Sequence, residues 1–352
     1  MDPETVDRLR ASGGDAAGDA IGPDGRVPHG SSDDPDLLDF SANTNPRVPP
    51  GAARVFEDAF AAAQSYPDDD YPAFREAAAA FVDCAPEQVI PTAGGLEAIR
   101  LAVQTTVRAG ESVLLPYPSF GEYAREVRLQ GARPEFVPHG DLLDADPAGH
   151  ALAVVCTPNN PTGELAERGA LRAFADRCRA AGTTLLVDEA FLGFTDDPSL
   201  AGTEGVIVAR SLTKLFGLPG VRMGYAVGTG RERERLATAR RAWSMSAPAA
   251  AVGAHCYRQS EFVAETRERV DRERARLRNR LADRFDVFPS DAPFLLFSVE
   301  GSSASVDEVL ASARESGVAL RDARTFRGLD SHLRVAVRTP EENDRLLEAL
   351  DV

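Results

Sequence analysis

Lysine is nearly missing from this chain of 352 residues: among 39 lysines and arginines, the only lysine is Lys214. Arginine keeps its proton at any working pH and cannot act as a nucleophilic amine, whereas a lysine can. A chain that uses arginine everywhere else has kept one amine. Cysteine is sparse too. Cys84, Cys156, Cys178 and Cys256 lie far apart with no CxxC pair, which speaks against a zinc site and against a disulfide framework. The five histidines are scattered, with no HExxH and no His/carboxylate cluster, so no metal site is expected. No run of eighteen apolar residues occurs, so no membrane span is expected. Met1 to Gly30 carries Asp, Gly and Pro where a signal peptide needs a basic start and an apolar block, and a cytoplasmic location is therefore expected. The net charge of −16 disfavours nucleic acid as a partner, because its phosphates would be repelled. A solvated acidic surface, as in proteins of salt-rich cytoplasm, accounts for that charge.

What is present is enough apolar residue, 43%, for one large and one small domain. Residues 1–50 read as an N-terminal arm, 51–235 as the large domain and 236–352 as the small one. A helix is expected from Gly51 to Ala63. Between about 86 and 228, short apolar runs alternate with helical stretches. Strands are expected at Ser112–Leu115, Ala151–Cys156, Thr183–Val187, Gly205–Ala209 and Met223–Val227. Their continuous apolar character marks a buried, mostly parallel sheet, hence an α/β fold. Beyond Gly230, Glu261–Phe285 reads as a charged helix with an apolar stripe at Val263, Val270, Leu277 and Leu281. A strand near Phe294–Val299, a helix near Val306–Ser316 and a strand at Leu333–Val337 make a smaller α+β unit. The last helix starts at Pro340 behind Thr339, with Glu342 closing a capping box.

The chemistry sits in the segment from Arg210 to Tyr225. It supplies a hydroxyl (Ser211), the lone amine (Lys214) and a guanidinium (Arg222) flanked by glycines. An aldehyde cofactor with a phosphate tail needs this set: the amine condenses with the aldehyde, while Ser211 and the planar fork of Arg222 hold the phosphate. SxxK alone is weak, since β-lactamase-type serines use it as well. Asp188 ends a buried strand, where open α/β sheets bind ligands; it would keep a pyridine nitrogen protonated, or else cap the next helix. Asn160, in the turn Thr157–Gly163, would bond the cofactor's phenolic oxygen, or simply punctuate the chain. Gly94, Gly95 and Leu96 open a helix whose backbone N–H groups can reach a phosphate, though by themselves they read as a helix cap. Phe120 would lie on the pyridine ring or pack in the core.

In this order, and over nearly the whole chain from about residue 29, these motifs resemble the fold-type I pyridoxal-phosphate enzymes of the aminotransferase superfamily. Within it the chain looks like the threonine-phosphate decarboxylases of cobalamin synthesis, relatives of the histidinol-phosphate aminotransferases. That likeness rests on Leu38–Pro46, Asp188–Phe191, Arg210–Lys214, and Gly328–Ser331 leading into Arg334–Arg338. Phe191 stands where aminotransferases of the group carry Tyr. The resemblance implies pyridoxal 5'-phosphate as cofactor, a homodimer, and Lys214 and Asp188 as catalytic residues. It implies that Arg334 binds the substrate carboxylate, with Asn160 alongside. His29, Gly30, Asn43 and Arg321 would surround the substrate phosphate, and Tyr66 would reach the cofactor phosphate of the neighbouring subunit. The arm is shorter between His29 and Leu38 than in the family, and Gly95 and Leu96 replace a more polar pattern.

One such site can run two reactions. With the substrate carboxylate held in the cofactor plane, the Cα hydrogen leaves and transamination begins with Lys214 as base. Turned out of plane, the carboxylate leaves as CO2. The choice is one of geometry, not residue type, and only the resemblance tilts it toward decarboxylation. A non-catalytic regulator that kept the fold would need an appended DNA-binding domain, for which the chain has neither spare length nor a basic patch.

Overall fold

The computed structural model describes residues 3–11, 26–28 and 30–352. His29, expected at the substrate phosphate, lies outside the described residues.

Seven strands form the main sheet: β1 (Val89–Thr92), β2 (Ser112–Tyr117), β3 (Arg133–Pro138), β4 (Leu152–Cys156), β5 (Thr184–Asp188), β6 (Val206–Ser211) and β7 (Gly224–Val227). Their order is β1-β7-β6-β5-β4-β2-β3. All pairs are parallel except those of β7, which is antiparallel to β1 and β6. The five expected strands form within two residues of the expected ends. In β4 every residue is buried, and alternate residues serve opposite faces, as the strand period requires. Ala153 and Val155 join the larger core, which also holds Phe174 and Phe74, while Leu152, Val154 and Cys156 join the smaller one beneath the helices Gly95–Thr106 and Glu122–Leu129. Two strands were not expected from the sequence, β1 and β3, and they form the two edges of the sheet; β3 is half-exposed and holds Pro134 and Pro138. An edge strand tolerates proline and lacks the apolar run of an interior one.

The C-terminal part carries an antiparallel four-stranded sheet ordered Arg321–Asp322, His332–Ala336, Phe294–Ser298 and Asp286–Val287. The helix Ser260–Leu281 buries Val263, Val270, Leu277 and Leu281 as the stripe demands. The final helix, Pro340–Ala349, has the expected capping box between Thr339 and Glu342. The arm is stitched to this sheet: Leu38–Asp39 pairs in parallel with Val318–Ala319, and the Ala336 N–H donates to the Phe40 carbonyl at 2.9 Å. The helix Ala247–Tyr257 packs against Ala52–Phe60 and Pro72–Val82, on the main-sheet side of the molecule. Among the described residues no helix is long and apolar enough to cross a membrane.

Candidate active site

Because β4, β5 and β6 run in parallel, their carboxyl ends deliver Cys156, Asp188 and Ser211 to one edge of the sheet. There they meet the C-terminal sheet and the arm around a cavity of about 520 Å3. Such crevices outside the carboxyl ends of parallel strands are where open α/β sheets bind ligands, and this volume suits a cofactor with a small substrate.

Lys214 projects into the cavity from the short helix Leu212–Leu215, which follows β6. Its backbone is clamped. The Asn45 N–H donates to the Lys214 carbonyl at 2.9 Å, and Asn45 Nδ2 donates to the Leu215 carbonyl at 2.8 Å. Asn45 Oδ1 in turn accepts from Arg269 Nη2 at 2.6 Å, tying the loop to the long helix. Burial lowers the Lys214 amine from 10.5 to about 8, aided by the charges of Arg334 and Arg222 and opposed by Asp188. An amine so placed is neutral, and so nucleophilic, in a far larger fraction near neutral pH than an ordinary lysine.

Asp188 faces the same cavity from the end of β5. Its Oδ2 accepts from the buried Tyr123 hydroxyl at 2.6 Å, and its Oδ1 accepts from the Ala190 N–H at 3.0 Å. Burial still pushes its carboxyl up, against those hydrogen bonds. No cation among the described residues pairs with it. A desolvated carboxylate of this kind gains most from a cationic ligand atom. Sequence reasoning missed Tyr123; the only signal was its position one turn beyond Phe120. Phe120 lines the cavity, edge-on to Tyr123 at 5.6 Å.

Across the cavity floor, Gly94 adopts φ +98° at the start of the helix Gly95–Thr106. A Cβ there would stand 2.8 Å from Arg222 Nη2, and one on Gly224 would stand 2.4 Å from the Gly94 carbonyl carbon. Glycine is what lets β7, the helix start and the guanidinium meet. Gly95, Leu96, Ser211 and Arg222 all line the cavity, with Gly94 just behind. Among the described residues Arg222 has no carboxylate in ion-pair range, and it spends one weak hydrogen bond, at 3.3 Å, on the Pro219 carbonyl. Ser211 Oγ lies 2.8 Å from Thr213 Oγ1. Helix N–H groups, two hydroxyls and an unpaired guanidinium make an anion cradle.

On the opposite wall stand Arg321 and Arg334. They are direct cross-strand partners in the antiparallel C-terminal sheet, and both are buried. Neither has a carboxylate within ion-pair range among the described residues. Arg334 donates through Nη1 to Asn160 Oδ1 and through Nη2 to the Ser41 carbonyl at 3.0 Å, while its buried Nε has no partner. Arg321 Nη2 donates to the Pro28 carbonyl at 2.9 Å and to Thr325 Oγ1 at 2.8 Å. Burial lowers both guanidiniums, Arg334 to about 9 with Arg321's charge contributing. Like charges opposed across a sheet are unfavourable, so this pair is built for an anion. The arm closes over it. Gly30 packs so tightly on Arg321 that a Cβ would fall 2.4 Å from its Cδ. Asn43, also on the wall, keeps a buried Oδ1 with no hydrogen-bond partner.

Of the described residues expected here, Gly94 sits just behind the cavity lining and Tyr66 stands outside this chain's own cavity. It is 79% exposed, with its ring 4.5 Å from that of Trp243. The remaining residues converge: an amine, a buried carboxylate with no ion-pair partner among the described residues, and two separate anion cradles. The first three features fit a cofactor that carries an aldehyde, a ring nitrogen and a phosphate.

The chain matches the family "Aminotransferase class I and II" over residues 35–350. It is 32% identical to the threonine-phosphate decarboxylase of Salmonella typhimurium over 336 residues, covering 89% of this chain and 90% of that protein. It is 31% identical over 328 residues to histidinol-phosphate aminotransferase 2 of Archaeoglobus fulgidus, covering 90% of this chain and 93% of that one. The histidinol-phosphate aminotransferase of Sinorhizobium meliloti, solved in complex with pyridoxal-5'-phosphate, shares the fold with a TM-score of 0.76 at 20% identity. That match covers 99% of this chain and 94% of the other.

Proposed function

This chain belongs to the class I and II aminotransferase family, enzymes of pyridoxal 5'-phosphate with the type I fold, and on that footing we propose that it decarboxylates L-threonine O-3-phosphate to 1-amino-2-propanol phosphate for cobalamin synthesis. The observation that carries the reading is the buried Arg321–Arg334 pair, which faces the cavity with no carboxylate in ion-pair range among the described residues. Threonine phosphate brings one carboxylate and one phosphate to that wall. Phe191 supports the same reading: it lines the cavity without a hydroxyl to offer the cofactor's phenolic oxygen.

We read the roles of the lining residues from their positions around the cavity. Arg222, Ser211 and the backbone N–H groups at Gly95 and Leu96 hold the cofactor phosphate, with Gly94 leaving room for Arg222. Phe120 would lie against the ring, and Asn160 would bond its phenolic oxygen. Asp188, fixed by Tyr123 and Ala190, keeps the ring nitrogen protonated. Lys214 attaches the cofactor through its amine. When bound, the cofactor would supply an electron sink for the electrons of the substrate Cα bond that breaks. Arg334 grips the carboxylate and Arg321 the phosphate, with Gly30 and Asn43 beside it; together they set which bond that is. Lys214 is the group placed to return a proton to Cα once CO2 has left.

The same reading includes a cytoplasmic homodimer in which Tyr66 completes the partner subunit's phosphate site. Its support is the apolar surface around Tyr66: the Trp243 ring packs against it, tilted by 32°, and Phe56 and Phe60 are exposed on the helix Ala52–Phe60. Amino transfer from histidinol phosphate is the second reading, favoured by the 31% identity to the Archaeoglobus enzyme. Product analysis decides. Purified protein given L-threonine O-3-phosphate labelled at the carboxyl carbon should release labelled CO2 and leave 1-amino-2-propanol phosphate, read by NMR. Substrate returned intact overturns the proposal.

A further inference from the structure

Two buried guanidiniums placed opposite each other, with no carboxylate in ion-pair range among the described residues, need another source of stabilisation. Aromatic rings supply it. The Arg334 Cζ lies 5.1 Å from the centroid of Phe294 and 5.6 Å from that of Phe326. The Arg321 Cζ lies 5.3 Å from the same Phe326 ring. Phe326 is thus the ring that both cations share. It is buried, lines the cavity beside them, and packs in a small core with Leu296, Ala323 and Leu329. Its own N–H donates to the Ala323 carbonyl at 2.9 Å, which fixes the loop that presents it.

The physical advantage over a carboxylate partner is plain. A carboxylate would occupy the in-plane N–H donors of a guanidinium and would have to be displaced by every incoming anion. A ring attracts the cation through its π face and leaves those donors available to a ligand.

We propose that Phe326 is a specificity-determining residue: its ring holds Arg321 and Arg334 side by side, un-neutralised, and so favours substrates with two anionic groups over substrates with one. The inference rests on the reading above for the substrate's identity, but not for the binding of anions as such.

The test uses the cofactor-loaded enzyme, so that Arg222 and Ser211 are already engaged, and inorganic phosphate as the probe. Phosphate should bind the wild type and raise its melting temperature. Phe326→Leu should weaken that binding about tenfold, the size expected for losing desolvated cation–π contacts. Phe326→Tyr, which keeps the π face, should stay within about threefold of wild type. In turnover, Phe326→Leu should raise KM for threonine phosphate by a similar factor while changing the binding of unphosphorylated threonine much less. Cofactor affinity should not move. Should Phe326→Leu not fold, Phe326→Met reads the same quantities. The proposal is overturned if the wild type does not bind phosphate, if Leu and Tyr variants lose affinity alike, or if phosphorylated and plain threonine suffer equally. A wild type that binds phosphate in a Phe326-dependent way yet does not turn over threonine phosphate would sink the substrate reading and leave the role of Phe326 standing.

Discussion

The cofactor-free protein should contain one abnormally reactive amine, and its charge neighbours dictate how that reactivity moves. Lys214 is lowered from 10.5 to about 8, first by burial and then by Arg334 and Arg222, with Asp188 pulling the other way. At pH 7 an amine of that strength is roughly one tenth neutral, against roughly three parts in ten thousand for an ordinary lysine, a gain of about 300-fold. Since Lys214 is the only lysine, an amine-directed reagent has no competitor except the chain's α-amine, which peptide mapping separates. The labelling rate of Lys214 should rise with pH through a midpoint near 8. Arg334→Met removes a repelling cation and should move the midpoint upward; Asp188→Asn removes an attracting anion and should move it downward. A stability consequence follows with a defined sign. The folded protein holds the amine's pKa below that of the unfolded chain, so between pH 8 and 10.5 the unfolded chain binds more protons. Stability of the cofactor-free protein therefore rises across that window, and the full penalty of about 3 kcal/mol applies below it. Lys214→Met should make the cofactor-free protein more stable at pH 7, by up to about that amount in urea denaturation. A wild-type midpoint near 10, or an Arg334→Met midpoint that falls, would refute the electrostatic account.

Other consequences are equally open to measurement. Borohydride reduction of the loaded enzyme should fix the cofactor to Lys214, and a mapped adduct elsewhere would remove that residue from its role. Asp188→Asn should fold and bind cofactor yet lose about two or more orders of magnitude in kcat, as when a main electrostatic stabiliser is lost; near-normal turnover would make Asp188 merely structural. Arg321→Ala should weaken phosphorylated substrates by roughly 2–5 kcal/mol, with much less effect on plain threonine, and equal losses would indicate a scaffold role. Mixing Tyr66→Phe with Lys214→Ala, once each is shown to be impaired and subunits are shown to exchange, should restore activity by leaving one intact site per mixed dimer; silence would end the shared-site idea.

Interior strands were legible in the sequence because burial on both faces leaves apolar runs such as Leu152–Cys156. The edge strand Arg133–Pro138 was not, since half of its surface meets solvent and nothing forbids its prolines. For the site, the segment from Ser211 to Arg222 could be read directly because the amine, hydroxyl and guanidinium lie close together in the chain. Contacts between distant segments could not. Tyr123 and Asp188 are 65 residues apart, and only the pairing of the sheet brings the hydroxyl onto the carboxylate. Arg321 and Arg334 were named by resemblance, but their opposition depends on the register of two strands joined by an irregular loop. Phe326, in that loop, carries no local motif at all. The Pro28 carbonyl on Arg321 likewise needs the arm to be folded back.

The most direct test of the central claim sets the two reactions against each other in one vessel. Loaded enzyme is supplied with L-threonine O-3-phosphate, histidinol phosphate and 2-oxoglutarate, and CO2 and glutamate are followed together. CO2 should appear in step with 1-amino-2-propanol phosphate, with glutamate at background, if the arginine pair presents the carboxylate for cleavage. Glutamate formed at the expense of histidinol phosphate, with no CO2, would contradict the account and make the protein an aminotransferase.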